Sequence, residues 1–291
     1  MAKRIVFALV LALSLALFAW TLRRFGRLIA SGRPDKRLDH PGARLWSVLT
    51  TFLGQKTVLE AGTPIPAARW PRFVKWLGSR YHVVIFWGFL IITVGTTELL
   101  VQGLFPTFSL AMILGPTVAD GLNTVIEWMT VAVLAMLAFA VFRRTVLQPR
   151  LIPMSRDAAA ILGAIATLMV SYFGMHAFGI QTGALPDGFP ISSALADWLP
   201  AGAAAPVLAE VAYWVHVVTL LAFLNYLLYS KHSHIVASLP NIYFRDLGQK
   251  GVLPKLNLEA DDISQTGVVS DYKDFTWKHL LDSFACTECA R

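Results

Sequence analysis

The stretch HVVIFWGFLIITVGTTELLVQGL, residues 82–104, decides the fold class of this chain. It contains one charged residue, Glu98, and it is long enough to cross about 30 Å of hydrocarbon as an α-helix, which needs roughly 20 apolar residues. Backbone polar groups in lipid must be paired within the segment, so a helix is the expected form. The sequence therefore predicts an all-α membrane protein with a five-transmembrane-helix bundle. The other four apolar runs lie at about 5–22, 121–142, 157–180 and 208–229.

The composition agrees with a membrane protein, because 56% of the residues are hydrophobic and only 15% are charged. The net charge of +7 could suit a polyanion-binding protein, but the basic residues lie in loops between the apolar runs. Charge in those places reports membrane topology. Nucleic acid is therefore excluded as a partner.

The basic residues favour one orientation of the five helices. Residues 23–80 hold 12 Lys and Arg, residues 143–156 hold 4 and residues 231–291 hold 7, whereas 81–142 and 157–230 hold none. The positive-inside rule places the three rich segments in the cytoplasm. We therefore expect the N-terminus outside and the C-terminus in the cytoplasm, with the first apolar run kept as an anchor.

Four histidines that lie within, at the ends of or just past the predicted helices are candidate metal ligands. His82 and His234 lie toward the predicted cytoplasmic side, and His176 and His216 lie toward the exterior. A b-type haem takes one axial imidazole on each face, often from different helices. His82 and His234 are thus predicted to bind a cytoplasmic-side haem iron, and His176 and His216 an exterior-side haem iron. A lone histidine at a helix end is more often an interfacial hydrogen-bonding residue, so that interpretation stays open.

The choice of His234 over His232 depends on helical phase. His216 and His234 are eighteen residues apart, which is five whole turns if the fifth helix continues that far. His232 would then point about 160° away from His216. We therefore expect His232 to hydrogen-bond a haem propionate or a ligand ring. The competing axial ligands are Met129, Met136 and Met175, which we interpret as packing residues.

Charged residues near the helix ends have two interpretations each. Arg80 and Arg143 border the predicted cytoplasmic ends, where haem propionates would meet cations, although topology alone also explains them. Glu98, Glu127 and Glu210 lie toward the predicted exterior, where they could relay protons to a quinone or act as ordinary interfacial carboxylates.

Both cysteines of the chain lie in the motif Cys286-Thr-Glu-Cys289 near its C-terminal end. One C-x-x-C fits half a zinc site, a redox pair or the start of an iron–sulfur motif. In the spacing C-x₂-C-x₂-C-x₃-C-P, the third ligand would come directly after Arg291. We therefore expect Cys286 and Cys289 to be a partial [4Fe-4S] motif of a longer chain.

Two segments give the chain a family resemblance. The segments His82-Val-Val-Ile-Phe-Trp-Gly-Phe89 and Ser230-Lys-His-Ser-His-Ile235 resemble the membrane cytochrome b domain of heterodisulfide-reductase-type iron–sulfur oxidoreductases. That domain is similar to the gamma subunit of respiratory nitrate reductase. The tail from Trp277 to Cys289 resembles the opening of the ferredoxin module in the same fusions.

The resemblance implies two b haems, [4Fe-4S] clusters and quinone as the substrate. It implies His82, His216 and His234 as haem ligands. The gamma subunit takes its remaining ligand from the second helix, where this chain has Ile92, so His176 must replace it or one haem is absent. Residues 1–230 would form the transmembrane haem b domain, and residues 231–291 a cytoplasmic extension that begins a ferredoxin-like module.

The expected function is quinone-linked electron transfer in a bacterial or archaeal cytoplasmic membrane. The resemblance implies electron-transfer flavoprotein, or an iron–sulfur subunit, as the soluble donor, and menaquinone as the membrane partner in a respiratory chain. A haem-free membrane anchor that assembles a soluble oxidoreductase is the alternative. A transporter is less favoured, because the helices lack interrupted repeat halves and paired intramembrane charges.

Overall fold

The computed structural model describes residues 1–60, 71–148, 153–185, 188–248, 256–257, 259–261 and 271–286. In these ranges the chain is helical and forms no β-strand, and Arg33 and Thr276 make an isolated parallel bridge. The α-helices are α1 (Ala2–Ala30), α2 (Pro41–Ser47), α3 (Lys56–Glu60), α4 (Arg72–Leu104), α5 (Ala111–Leu114), α6 (Pro116–Phe142), α7 (Arg156–Gln181), α8 (Pro190–Trp198), α9 (Ala205–Leu227), α10 (His234–Tyr243) and α11 (Trp277–Ala285).

Five helices of the described chain are long and apolar enough to cross a membrane, as the sequence predicts. Their number and composition are compatible with a multi-pass membrane protein. The iron–sulfur module predicted at the C-terminal end lies outside the described residues. The five candidate spans are Ala2–Ala30, Arg80–Leu104, Pro116–Leu147, Arg156–Gln181 and Gly202–Leu227.

Local sequence signals set where the central helices begin. Gly115 has φ +80°, a backbone conformation that glycine adopts readily, and Pro116 follows it as the first residue of α6. At the start of α7, the Ser155 hydroxyl accepts a hydrogen bond from Ala158 N over 3.1 Å. This serine cap and the acidic Asp157 in the first turn stabilise the N-terminal end of α7.

The described residues divide into two compact units. The first comprises Met1–Leu17 and Val58–Tyr226, and the second comprises Phe18–Thr57 with the described part of Leu227–Glu288. The second unit thus combines the C-terminal extension with the segment that follows the apolar part of α1.

In the first unit, α4 packs closely on α6 through small residues. A Cβ atom at Gly88 would lie 2.4 Å from Val133 Cγ2, and one at Gly95 would lie 3.1 Å from Ile126 Cδ1. Glycines at such contacts let membrane helices approach closely. The neighbouring core joins α4, α6 and α7 through Ile92, Ile126, Val133, Leu168, Met169, Tyr172 and Phe173.

Helix α1 lies beside α9 in the first unit, and the two run in the same direction. Lys3 Nζ is 2.5 Å from Glu210 Oε2, and eleven residues further along both helices Ser14 Oγ donates to Leu221 O over 3.2 Å. Phe7 and Val217, both 0% exposed, form the apolar seam between these polar contacts. The ion pair gives Lys3 a partner of opposite charge at the N-terminal end of α1.

The second unit is organised around the guanidinium of Arg44, which is 2% exposed. It donates to the Asp39 carboxylate over 2.6 Å and to the carbonyl oxygens of Tyr243 and Arg245 over 3.0 and 2.9 Å. The hydrogen bond from Arg44 holds the pKa of Asp39 below its ordinary value. Helix α11 packs in the same unit, where the ring of Phe284 lies 4.7 Å from that of Phe25.

The fifth long helix ends earlier than the phase argument for His234 requires. Helix α9 ends at Leu227, Ser230 is extended with φ −105° and ψ 174°, and a short 3₁₀ turn over Lys231–Ser233 leads into α10. The Ser230 hydroxyl accepts from His232 N over 3.1 Å, which caps a new helical segment. The prediction that His216 and His234 share one face of a continuous helix is therefore wrong.

Candidate histidine site

His216 is a buried residue of α9, 3% exposed, whose ring contacts α7. Its Nδ1 atom lies 3.1 Å from Leu168 O and 3.1 Å from Ser171 Oγ. Ser171 donates its own proton to Thr167 O over 2.6 Å, so both oxygens near the imidazole are acceptors. Nδ1 of His216 therefore carries a proton, so Nε2 is the nitrogen with the lone pair in the neutral ring.

His176 lies on α7 and has the same tautomer. Its Nδ1 atom is 2.8 Å from the carbonyl oxygen of Tyr172, one turn earlier in the same helix. Its ring packs between two aromatic rings, with centroid distances of 4.2 Å to Tyr172 and 4.6 Å to Phe189. The main-chain hydrogen bond and the two rings fix the direction of the imidazole.

The two imidazoles are anchored to neighbouring points of one helix. Leu168 and Tyr172 are four residues apart, so their carbonyl oxygens lie on the same face of α7 at a spacing of about 6 Å. Among the described residues, no hydrogen bond reaches the Nε2 atom of either ring. An Nδ1 hydrogen bond to a carbonyl is the arrangement that prepares histidine to bind a metal through Nε2.

A glycine on α7 permits the close approach that this anchoring requires. A Cβ atom at Gly174 would lie 3.3 Å from the Cβ of Ala212 on α9. Gly174 is three residues after Ser171, and Ala212 is one turn before His216. The backbones of α7 and α9 are therefore close where His216 contacts Leu168.

His82 lies half-buried on α4 in the first unit, next to Tyr81. Arg80 precedes Tyr81, and its guanidinium stands 5.5 Å from the ring centroid of Trp76. Arg143, at the end of α6, is 2% exposed and donates to the Tyr81 hydroxyl over 3.3 Å. The structure thus groups Arg143 with the residue that precedes His82.

His232 and His234 lie in the second unit, with ring centroids 5.3 Å apart. The Nδ1 atom of His234 is 2.9 Å from Lys231 O, which assigns its proton to Nδ1, as in His176 and His216. Burial lowers the pKa of His234, which favours the neutral ring at pH 7.

Cys286 follows α11 and is exposed, whereas Cys289 lies outside the described residues. Ser233, between the two histidines, donates its hydroxyl to Phe284 O over 2.8 Å. The histidine turn is thus bonded to the helix that ends directly before Cys286. The described residues hold no group of three or more His, Cys, Asp or Glu side chains arranged to bind a metal ion.

Helix α8 was not predicted from the sequence, and its two ends are held by polar side chains of the long helices. Glu127 of α6 is 0% exposed and accepts from Ile191 N over 2.7 Å, from Ser192 N over 3.0 Å and from the Ser192 hydroxyl. Gln181 Nε2 donates to Ala196 O and Leu199 O over 2.6 and 2.7 Å. A carboxylate at the N-terminal end and an N–H donor at the C-terminal end both match the helix dipole.

This clamp fixes Phe189, the residue before α8, against the ring of His176. The other two candidate carboxylates also bind nearby donors: Glu98 accepts from Leu110 N over 2.7 Å, and Glu210 accepts from Trp214 Nε1 over 2.8 Å. The signals that could have predicted α8 are Pro190 at its first position and Ser192 shortly after.

Comparison with known proteins gives two curated relatives. The chain is 27% identical over 297 aligned residues to the probable iron-sulfur-binding oxidoreductase FadF of Bacillus subtilis, covering 100% of this chain and 39% of that protein. It is 25% identical over 284 residues to the EtfAB:quinone oxidoreductase of Syntrophomonas wolfei, covering 91% of this chain and 36% of that protein. No family model and no solved structure matches.

Both relatives are oxidoreductases by name, and their similarity to this chain supports an oxidoreductase family. The chain spans 39% and 36% of the lengths of these two proteins.

Proposed function

We propose that this chain is a membrane electron-transfer protein that passes electrons between iron–sulfur clusters and a membrane quinone through two b haems. The observation that carries the proposal is the pair His176 and His216, whose Nδ1 atoms are held by carbonyl oxygens one turn apart on α7. Two imidazoles that are hydrogen-bonded through Nδ1 and offer Nε2 to a metal are the donor set that a bis-histidine haem takes.

The Nδ1 hydrogen bonds of His176 and His216 support one position for this cofactor, and a second position is proposed from the sequence. His176 and His216 would bind the iron of one haem, and His82 and His234 that of the other. Arg80, Arg143 and His232 are the proposed partners of propionates or of a ligand ring. Bound haem would supply reversible one-electron transfer, whereas the protein fixes the tautomers and the burial of the ligand rings.

The second unit supports the iron–sulfur side of the proposal. The hydrogen bond from Ser233 to Phe284 O joins the turn that carries His232 and His234 to the helix that ends before Cys286. Cys286 and Cys289 are proposed as two ligands of a [4Fe-4S] cluster. The name of the B. subtilis relative describes an iron–sulfur-binding protein.

The quinone and the soluble donor are proposed from the second relative, whose name joins EtfAB to quinone. We extend both to this chain, with electron-transfer flavoprotein as the donor and menaquinone as the quinone. The site of reaction would be a bacterial or archaeal cytoplasmic membrane, with the C-terminus in the cytoplasm.

The second candidate function is a haem-free membrane anchor. It is supported by the contacts of the His176 ring with Tyr172 and Phe189, because a histidine with a purely structural role would pack in the same way. A reduced-minus-oxidised spectrum of the purified chain, expressed with haem supply, separates the two. Two haems per chain and a b-type α band are expected. A protein that is folded in detergent and lacks that band would be an anchor and not an electron carrier.

A further inference from the structure

Arg143 carries a charge that the described chain does not neutralise. The residue begins a π-helical segment, Arg143–Leu147, that continues α6 to the end of a candidate span. Its side chain is 2% exposed. Segments of π-helix occur often at functional sites, and a buried guanidinium normally has an anionic partner.

The contacts of this guanidinium are few. Nη1 donates to the Tyr81 hydroxyl over 3.3 Å, and the buried Nε has no hydrogen-bond partner among the described residues. No described Asp or Glu forms an ion pair with it. A guanidinium has five N–H donors, and the buried Nε donor of Arg143 is left without an acceptor among the described residues.

Two other arginines, Arg44 and Arg144, differ in this respect. Arg44, equally buried, donates to the Asp39 carboxylate and to carbonyl oxygens. Arg144, next to Arg143, donates to Pro153 O over 2.9 Å. The chain thus supplies acceptors where a buried arginine is structural.

We propose that Arg143 and Tyr81 form a buried oxyanion site that takes a carboxylate or phosphate group from a bound molecule. The planar fork of arginine binds such groups through two parallel hydrogen bonds, and the tyrosine hydroxyl adds a third donor. Phe139 holds the Tyr81 ring at a centroid distance of 5.8 Å. Where the oxyanion is a haem propionate, the site rests on the proposed function, because Tyr81 precedes the proposed ligand His82. A phospholipid phosphate has the same chemistry.

The test compares Arg143→Met with the matched control Arg144→Met, each in the full chain prepared without haem in phosphatidylcholine nanodiscs. Haemin and haemin dimethyl ester, which lacks the carboxylates, are titrated separately. Retention of phosphatidylglycerol is measured by native mass spectrometry in mixed nanodiscs. A propionate site predicts that wild type and Arg144→Met bind haemin about ten- to a hundredfold more tightly than the ester, and that Arg143→Met loses this preference at one site.

A phosphate site predicts equal binding of the two haemins, with phosphatidylglycerol retained by wild type and Arg144→Met and lost from Arg143→Met. The inference is overturned if replacing Arg143 by Met changes neither the preference for haemin over its ester nor the retention of phosphatidylglycerol. A wild type that binds no haemin defeats the proposed function alone, and the lipid measurement then decides the oxyanion site. Should Arg143→Met fail to fold, Arg143→Lys replaces it, because lysine keeps the positive charge but cannot form two parallel hydrogen bonds. A partial loss of the haemin preference or of lipid retention is then expected.

Discussion

His176 and His216 are anchored to the same helix, because the carbonyl oxygens that hold their Nδ1 atoms belong to Tyr172 and Leu168, one turn apart on α7. The His176 ring belongs to α7 itself, whereas the His216 ring reaches α7 from α9. Each tautomer is set by a main-chain acceptor that no side-chain substitution removes. The pair is therefore the most fully defined part of the proposed electron path.

Replacing either residue of this pair is expected to remove one haem. His176→Ala and His216→Ala should each bind one haem per chain instead of two, because a b haem needs both axial imidazoles. The pyridine haemochrome assay on purified protein measures the stoichiometry. Met175→Leu is the control, since Met175 packs against the core beside His176 and should keep two haems. Two haems in His176→Ala would rule out His176 as a ligand.

The second haem is expected to depend on His82 and His234 and not on His232. His82→Ala and His234→Ala should each lose one haem, and His232→Ala should keep both with an altered spectrum, because its ring lies 5.3 Å from that of His234. Haem content and the reduced spectrum are measured on each variant. His40→Ala, an exposed histidine, serves as the control. Loss of a haem in His232→Ala, with none lost in His234→Ala, would exchange their roles.

Removal of the buried carboxylate is expected to loosen α8. Glu127→Ala leaves the Ile191 and Ser192 amides without their acceptor, and each unpaired buried group costs about 1–3 kcal/mol. We expect the free energy of local opening at these amides to fall by about 2 kcal/mol, roughly thirtyfold in hydrogen exchange. The control is Asp197→Asn, which replaces an exposed carboxylate on α8 and should leave hydrogen exchange at the Ile191 and Ser192 amides unchanged. Unchanged exchange in Glu127→Ala would mean that other contacts hold α8.

The close contact at Gly174 can be tested by adding volume. Gly174→Val should separate α7 from α9, because even a Cβ atom at this position would lie 3.3 Å from Ala212 Cβ. The hydrogen bond between His216 and Leu168 O would lengthen, so we expect one haem to be lost and the melting temperature to fall. Gly163→Ala on the same helix is the matched control, since its Cβ would meet nothing within 4 Å. Full haem content in Gly174→Val would show that the contact is dispensable.

Much of the fold could be predicted from the sequence, because each helix that crosses a lipid bilayer needs a long apolar run, and such runs can be counted along the chain. The five runs at 5–22, 82–104, 121–142, 157–180 and 208–229 correspond to the five long apolar helices of the described chain. Their ends were less well predicted: α1 continues to Ala30, beyond the apolar run, where Phe25 packs on Phe284 of α11. Hydropathy cannot detect this extension, since the partner lies more than 250 residues away in the chain.

The amino-acid sequence by itself determined the five apolar helices, because length and polarity act locally along the chain. Only the tertiary structure decided which oxygen holds each imidazole, that α9 ends at Leu227, and that Glu127 and Gln181 clamp α8. These features depend on the rotation and depth of each helix against its neighbours. Those are set by contacts between residues distant in sequence, such as Gly174 with Ala212.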